Sequence, residues 1–275
     1  MMHLTETTRA TRLCLLRQLL AQHQLLKGIA GIAETRWEAI QAVVDAANES
    51  THLMAIDIPA DTKVVQATRS RTHLPIFASA LSAQELLQAA MAGADALELG
   101  NYDALYEAGE FIDATTVLKE TQELVFQLKR LGLFKRVLIS ITVPGHLAID
   151  AQIDLAKALE VAGADVLQTE GALRSLSRVK ATASLSASEK AAASLRAVRA
   201  LSQAVAIPVM AASGFDSHNI AEAIAAGASA VGVGRAWRKS GNGHAMAKTV
   251  AVMISQMRQA SGSQPVPATQ HAVAC

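Results

Sequence analysis

The sequence predicts a single (β/α)₈ TIM barrel, an α/β fold, and three features of the chain indicate it. Short apolar runs of roughly four to eight residues alternate with longer helix-like stretches, which is typical of parallel strands joined by crossover helices. The chain has 275 residues, of which 51% are hydrophobic, and one such barrel takes about 250 residues. Similar tetrapeptides recur before strand-like runs, AGAD at 92–95 and 162–165 and AGAS at 226–229. Their glycines suit the left-handed residue that ends a helix.

The candidate strands are the eight apolar runs. They lie at residues 25–32, 52–60, 74–80, 96–103, 136–144, 166–171, 207–214 and 229–235. Helices are predicted at residues 34–48, 62–71, 115–131, 150–161, 189–205, 216–226 and 242–259, with a further helix that begins at Ser82. Ser82 is an N-cap candidate because a glutamate follows three residues later.

Residues 1–24 predict an additional N-terminal helix before the barrel. Leu13, Leu16 and Leu20 fall on one helical face, which favours a helix packed on the bottom of the barrel or on a partner. The three arginines of this stretch against one glutamate are also compatible with a transit peptide. A contact between copies of the chain, and so a homo-oligomer, is a further use for this leucine-rich face.

The remaining chain divides into the barrel at 25–260 and a tail at 261–275. The tail contains Ser, Pro and Gln without hydrophobic periodicity, so we expect it to be disordered.

Composition excludes several classes of function. A net charge of +1 gives no general attraction to nucleic acid or to anionic membranes, and 3% aromatic residues argue against base stacking. No apolar run reaches the ~18 residues needed to span a bilayer. The chain has no CxxC motif and no histidine cluster, so no metal site is indicated. These features predict a soluble, cytoplasmic protein without nucleic-acid or membrane partners.

Two neighbouring strand ends near the carboxyl terminus favour a phosphate site. The seventh predicted strand ends in Ser213 and Gly214, and the eighth ends in Gly232, Gly234 and Arg235. In TIM barrels the loops after strands seven and eight commonly bind phosphate, together with a short helix. Glycines let backbone N–H groups approach an anion, and a helix amino terminus adds partial positive charge. We therefore expect a barrel of the phosphate-binding type that takes a small phosphorylated metabolite.

Strand alternation points three carboxylates into the barrel near its catalytic face. Asp57, Glu98 and Glu170 are the candidate acid–base residues, and we expect them to converge on one mouth and raise each other's pKa. The alternative is that backbone amides, Lys or Arg satisfy them and that they serve only the fold. Lys27 could form a Schiff base or bind phosphate. Its position early in the first strand instead favours a structural role at the bottom face.

Four further polar residues are predicted to orient the substrate. Ser79, Thr142 and Gln168 lie at or near strand ends, and Asn101 follows the fourth strand. The loop at 171–190 is serine-rich and basic, which is compatible with a flap over an anionic ligand or with a solvated linker.

Three stretches of the chain resemble a known family. They are ALELGNYDALYEAGEFI at 96–112, the run at 137–171 that begins VLISITVPGHL, and the ASGF and GVGRA pair at the last two strands. The family is the hypothetical plastid open-reading-frame family twenty-three of cyanobacteria and algal plastids, and the resemblance spans residues 25–260. It implies a phosphate-binding-type TIM barrel without an assigned activity in the cyanobacterial cytosol or plastid stroma. It brings no catalytic residues to this sequence.

The sequence leaves three functions open. The first is an enzyme acting on a phosphorylated metabolite as a lyase, isomerase or synthase. The second is an oxidoreductase whose flavin mononucleotide (FMN) cofactor places its phosphate at the same two strand ends. The third is a sensor that binds a phosphorylated metabolite without catalysis.

Overall fold

The computed structural model is a closed barrel of eight parallel strands that follow one another in chain order. It describes residues 8–30, 37–49, 55–102, 105–106, 109–171, 185–239 and 243–262. The strands are β1 (Leu25–Ile29), β2 (Ala55–Pro59), β3 (Ile76–Ala80), β4 (Ala96–Leu99), β5 (Leu138–Thr142), β6 (Val166–Gln168), β7 (Val209–Ala212) and β8 (Ala230–Val233). β8 pairs with β1 and closes the barrel, which confirms the predicted (β/α)₈ fold.

Helices connect the strands and cover the barrel. They are α1 (Arg9–Ala21), α2 (Trp37–Glu49), α3 (Thr62–Arg69), α4 (Ala83–Ala92), α5 (Ala114–Arg130), α6 (Ile149–Ala162), α7 (Ala187–Ala204), α8 (Ile220–Ala225), α9 (Arg235–Arg238) and α10 (Gly243–Ser261). Ser82 caps α4 as predicted, since its side chain accepts a hydrogen bond from the backbone N–H of Glu85. The predicted tail at 261–275 lies outside the described residues from residue 263 onward.

Each strand is shorter than the apolar run that predicted it, and the two faces of each strand alternate as expected. Leu97 and Leu99 pack in the main hydrophobic core between barrel and helices. Glu98, between them, reaches the side chains of β1 and β6 across the lumen. The end residues of several runs extend past the hydrogen-bonded ladder, where the chain turns into the loops of the barrel rim.

The three repeated tetrapeptides adopt the predicted turn. Gly93, Gly163 and Gly227 have φ of 119°, 112° and 105°, in the left-handed region that favours glycine. In the first two copies the aspartate then accepts a backbone hydrogen bond from a neighbouring strand, Asp95 from Ile76 and Asp165 from Ile139. The repeat therefore fixes how a helix ends and the next strand begins.

The N-terminal helix α1 closes the bottom of the barrel. Its buried leucines, Leu13, Leu15, Leu16, Leu19 and Leu20, pack in one cluster with residues at the amino-terminal ends of the strands. The strand residues of this cluster are Leu25, Ala55, Phe77, Ala96, Leu138, Val166, Met210 and Ala230. The leucine face was predicted to pack on the barrel bottom or on a partner, and in the structure it packs on the barrel bottom.

An ion-pair cluster also anchors α1. Arg12 Nε lies 2.9 Å from Asp95 Oδ1, and Arg69 Nη1 lies 3.2 Å from Asp95 Oδ2. The Asp95 side chain is fully buried, and a buried charge is costly unless it is paired. These two arginines and the backbone compensate the Asp95 charge. α1 is therefore part of the barrel's packing. None of the described helices is long and apolar enough to cross a membrane.

Candidate functional site

A cavity of about 1030 Å³ opens at the carboxyl-terminal ends of the strands, opposite the face that α1 closes. This is the end at which TIM barrels carry their active sites. Most of the residues predicted for the site line it, namely Ser79, Asn101, Thr142, Gln168, Glu170, Ser213, Gly214, Gly232, Gly234 and Arg235. Lys27, Asp57 and Glu98 are fully buried and lie beneath these residues.

Lys27 forms the centre of a buried charge cluster. Its Nζ lies 3.0 Å from Asp57 Oδ2 and forms a short ion pair with Glu98 Oε2. The inference that Lys27 serves the bottom face from its early place in β1 is therefore wrong. The long side chain reaches up the lumen, where it meets carboxylates that lie nearer the strand ends.

Asp57 is fully buried, and Ser79 donates a close hydrogen bond to it in addition to the ion pair with Lys27. Ser79 Oγ donates a hydrogen bond of 2.5 Å to Asp57 Oδ1. Burial raises the pKa of Asp57 to about 6, with Lys27 opposing the rise and Glu98 adding to it. Burial also acts on Lys27, but the two carboxylates outweigh it and raise the pKa of the lysine.

Glu98 is surrounded by donors from three other residues in addition to Lys27. Gln168 Nε2 donates to Glu98 Oε1 at 2.7 Å, and Asn101 Nδ2 donates to the same oxygen at 3.2 Å. Ser140 Oγ lies 3.4 Å from Oε2. Asn101 has φ of 71°, a left-handed conformation that asparagine tolerates, and this turn directs its amide back to β4. Both oxygens of the Glu98 carboxylate therefore have donors within reach.

The floor of the cavity is thus a single layer of polar side chains above the charge cluster. Gln168 Nε2 also donates to Thr142 Oγ1 at 3.1 Å, which ties β6 to β5. Ser79, Asn101, Thr142 and Gln168 all line the cavity, and their role in orienting a substrate stays a prediction.

Glu170 does not join the other two carboxylates, so the expected convergence of all three is wrong. Glu170 Oε2 accepts hydrogen bonds from Tyr106 Oη at 2.7 Å and from the backbone N–H of Gly145 at 3.1 Å. The Tyr106 hydroxyl in turn lies 3.2 Å from His146 Nδ1. Sequence reasoning missed Tyr106 because a lone tyrosine in a loop carries no pattern. Its place is decided by the loops after β4 and β5 meeting over β6.

The two glycine-containing turns predicted to bind phosphate lie side by side on the cavity wall. Ser213 and Gly214 have φ of 76° and 82°, so both leave β7 in the left-handed region. Gly234 and Arg235 follow β8, the strand that pairs with β7, and line the same cavity. Among the described residues, none accepts a hydrogen bond from the backbone N–H groups of Ser213, Gly214 or Gly234.

Gly214 has a packing role that the sequence did not indicate. A Cβ atom at Gly214 would lie 2.1 Å from the carbonyl oxygen of Ala187 and 2.8 Å from the backbone nitrogen of Ala191. Glycine is needed there because the β7 turn presses against the first turn of α7. The helix expected after Gly234 is α9, which has only one turn, so its dipole contributes little.

Cations predominate on this side of the cavity. Lys190 of α7, Arg235 and Lys239 line the wall, together with the single acid Asp216, whose Oδ1 accepts from the backbone of His218. The basic flap predicted at 171–190 lies mostly outside the described residues, since the structure describes 171 and 185–190 only. Within the described part of the chain, no group of three His, Cys, Asp or Glu residues is arranged to hold a metal ion.

Fold and cavity together define a (β/α)₈-barrel protein with a polar ligand cavity at its carboxyl-terminal rim. The chain belongs to the family described as "Protein of unknown function (DUF561)", whose model matches residues 12–263. This confirms the resemblance drawn from the sequence motifs, because the curated relatives are plastid open-reading-frame twenty-three proteins.

Two relatives illustrate the match. The chain is 30% identical to "Uncharacterized protein ycf23" of Pyropia yezoensis over 210 residues, covering 76% of this chain and 74% of the relative. It is 30% identical over 212 residues to the protein of the same name from Porphyra purpurea, covering 76% of each. The curated relatives are plastid-encoded.

Solved structures of enzymes share the fold. A thiamine phosphate pyrophosphorylase from Pyrococcus furiosus matches with a TM-score of 0.53 at 16% identity, over 88% of this chain and 98% of that one. The YdjI aldolase from Escherichia coli K12 matches with a TM-score of 0.56 at 15% identity, over 93% of this chain and 96% of that one. At these identities the likeness concerns the barrel architecture.

Proposed function

We propose that this protein is an enzyme acting on a small phosphorylated metabolite, in a reaction of the lyase, isomerase or synthase type. The phosphate would bind the backbone N–H groups at Ser213–Gly214 and Gly234–Arg235. The reacting end would lie over the floor of Ser79, Asn101, Thr142 and Gln168. Asp57, Glu98 and Glu170 would supply acid–base chemistry.

The observation that carries this proposal is the pairing of the two turns on one cavity wall. Their N–H groups meet no acceptor among the described residues, and Lys190, Arg235 and Lys239 line the same cavity. Backbone donors and cations that converge on one cavity wall favour an anionic group. The thiamine phosphate pyrophosphorylase that shares the fold is named for a phosphate ester, which is compatible with this assignment.

The cavity is also large enough for more than a phosphate. About 1030 Å³ exceeds the size of a typical small-ligand pocket, roughly 300–1,000 Å³. A short-chain phosphate ester bound at the two turns would present its carbon skeleton to Gln168 and Thr142, which line the same cavity.

Glu170 is the carboxylate best placed to meet a substrate directly. It lines the cavity, whereas Asp57 and Glu98 act through the residues above them or through Lys27. Its hydrogen bond from Tyr106, which contacts His146, connects the cavity wall to two further polar side chains from the loops after β4 and β5.

Ligand-induced thermal stabilisation tests the proposal. Purified protein would be titrated with inorganic phosphate and with dihydroxyacetone phosphate, glyceraldehyde 3-phosphate and ribulose 5-phosphate, and its unfolding temperature should rise. Arg235→Gln should weaken binding by about tenfold or more, since a charge-assisted hydrogen bond contributes about 1.5–3 kcal/mol. Arg196→Gln is the matched control, because Arg196 is exposed on α7 and does not line the cavity. Stabilisation by none of the four compounds would contradict the proposal.

The alternatives from the sequence are separated by simple observations. An FMN enzyme would place the cofactor phosphate at the same turns, and its purified form would absorb as a flavin or bind added FMN. A non-catalytic sensor would bind a phosphorylated metabolite and keep its role in the cell when Glu170 is changed to glutamine.

The proposal also includes a location in the cyanobacterial cytosol or plastid stroma, and a homo-oligomer.

A further inference from the structure

We propose that Lys27 forms a Schiff base with the carbonyl carbon of a phosphorylated aldehyde or ketone bound in the cavity. This inference rests on the proposed function, because it assigns the substrate class and the reacting group for the same cavity. It makes Lys27 the nucleophile and gives Asp57 and Glu98 different roles.

Lys27 is one layer of atoms from the cavity. Gly232 lines the cavity, and a Cβ atom built on it would lie 3.4 Å from Lys27 Cε. Because the residue is glycine, position 232 itself places no side chain between the cavity and the end of the lysine. Ser79, which also lines the cavity, bonds directly to Asp57, one of the two ionic partners of the lysine.

An unpaired acceptor marks the same place. Oε1 of Gln168 is buried and has no hydrogen-bond partner among the described residues. The amide cannot simply turn over, since its Nε2 donates to Glu98 and to Thr142. A Cβ at Gly232 would lie 3.6 Å from this oxygen, so it faces the space above Lys27. A buried acceptor without a donor is unfavourable, because it has lost its hydrogen bonds to water. A hydroxyl group next to the substrate carbonyl would satisfy it.

The buried charge cluster indicates a role beyond stability. Lys27, Asp57 and Glu98 are each fully buried, and one positive charge faces two carboxylates. Buried ion pairs replaced by apolar residues of similar volume are often neutral or more stable, so such a cluster indicates chemistry more than stability.

The two carboxylates differ in a way that suits imine formation. Asp57 Oδ2 lies 3.0 Å from Lys27 Nζ and has no other hydrogen-bond donor among the described residues, so it can accept the ammonium proton. Glu98 accepts hydrogen bonds from Gln168 and Asn101 in addition to its ion pair with Lys27. It would then stabilise the positive charge of the protonated imine.

The step balances without an added oxidant or reductant. Asp57 takes one proton from the Lys27 ammonium, and the free amine attacks the carbonyl carbon, forming a C–N bond. One proton then moves from the attacking nitrogen to the carbonyl oxygen, which becomes the hydroxyl group of the neutral carbinolamine. Asp57 then returns its proton to that oxygen, the C–O bond breaks, and water leaves. The product is an iminium ion on Lys27 paired with Glu98.

Borohydride trapping tests the inference on the full-length protein. The protein would be incubated separately with dihydroxyacetone phosphate, glyceraldehyde 3-phosphate and ribulose 5-phosphate, and sodium borohydride would reduce any imine to a stable secondary amine. Intact mass should rise by the mass of the compound less one oxygen atom. Peptide mapping should place the adduct on Lys27 for at least one of them, and excess inorganic phosphate should suppress it.

Two variants keep the test independent of folding. Gly232→Ala should fold, because its Cβ contacts lie at ordinary distances of 3.4–3.6 Å, yet it fills the gap over Lys27. Adduct formation should fall by about tenfold or more, as expected when the reacting atoms are displaced. Lys27→Met combined with Asp57→Asn and Glu98→Gln removes all three charges together, and it should lose the adduct while inorganic phosphate still stabilises it.

The outcomes separate the two proposals. No adduct at Lys27 with any of the three compounds, while inorganic phosphate stabilises the protein, overturns the Schiff base and leaves the phosphate site standing. An adduct at Lys27 that forms equally with pyruvate and ignores excess phosphate supports the Schiff base and overturns the phosphate site. An adduct that persists at full yield in Gly232→Ala contradicts the approach through Gly232.

Discussion

Replacing Asp57 by asparagine should flatten the dependence of stability on pH between about 4 and 7. Burial raises the pKa of Asp57 from its ordinary 3.8 to about 6, with Lys27 opposing and Glu98 adding to the rise. In this window the folded protein binds more protons than the unfolded chain, so the free energy of unfolding falls as pH rises. At about 1.36 kcal/mol for each pH unit between the two values, the difference corresponds to about 3 kcal/mol. The contribution is present below about pH 4 and lost above about pH 6.

Urea denaturation of wild type and Asp57→Asn at several pH values between 4 and 7 measures this effect. Titrating groups outside the cluster of Lys27, Asp57 and Glu98 act equally in both proteins, so they cancel in the difference between the two free energies of unfolding. The substitution should be more destabilising at pH 4 than at pH 7 by about 2–3 kcal/mol, since Asp57 is still partly ionised in the unfolded chain at pH 4. A difference that stays constant within about 0.5 kcal/mol, or that grows as pH rises, would show that Asp57 is not held in this environment.

Three further substitutions test the packing that supports the site. Leu16→Ala should destabilise the protein by about 2–5 kcal/mol in urea denaturation, because Leu16 is fully buried under the barrel, whereas the exposed Leu131→Ala should cost less than about 0.5 kcal/mol. Arg12→Met should cost about 1.5–3 kcal/mol, since it removes a charged hydrogen bond to a buried aspartate that keeps a second arginine; no loss would show that α1 is not anchored there. Gly214→Ala should lower the free energy of unfolding by about 1–3 kcal/mol more than Gly132→Ala does, as measured by thermal or urea unfolding. Both glycines have a left-handed φ, but only a side chain at position 214 would clash with a helix backbone. Equal losses at the two glycines would contradict that close approach.

The fold followed from local patterns that tertiary contacts did not override. A strand such as β4 reads as alternating leucines around Glu98, and the alternation alone places the carboxylate in the lumen. Gly93 and its counterparts end helices in the left-handed region, as their sequence context indicates. These features depend on residues close together in the chain, so they are readable without the structure.

The contacts among the site residues were harder to predict from the sequence than the fold. Asp57, Glu98 and Glu170 all read as inward carboxylates at strand ends, yet only the first two meet, and they meet through Lys27. Alternation gives the face on which a side chain lies but not its height in the lumen or its partner. A lysine side chain is long enough to extend from one layer of the barrel interior into the next. The position of Lys27 in β1 therefore did not predict where its ammonium group lies.

The sequence by itself determined the eight-stranded barrel, the polar cavity end and the two glycine-containing turns, because each is written in spacing and residue type along a short stretch. Only the tertiary structure decided that Lys27 pairs with both Asp57 and Glu98 beneath the floor, and that Tyr106 donates a hydrogen bond to Glu170. These pairings join residues far apart in the chain. Barrel closure and the lengths of individual side chains set such distances, and no local pattern records them.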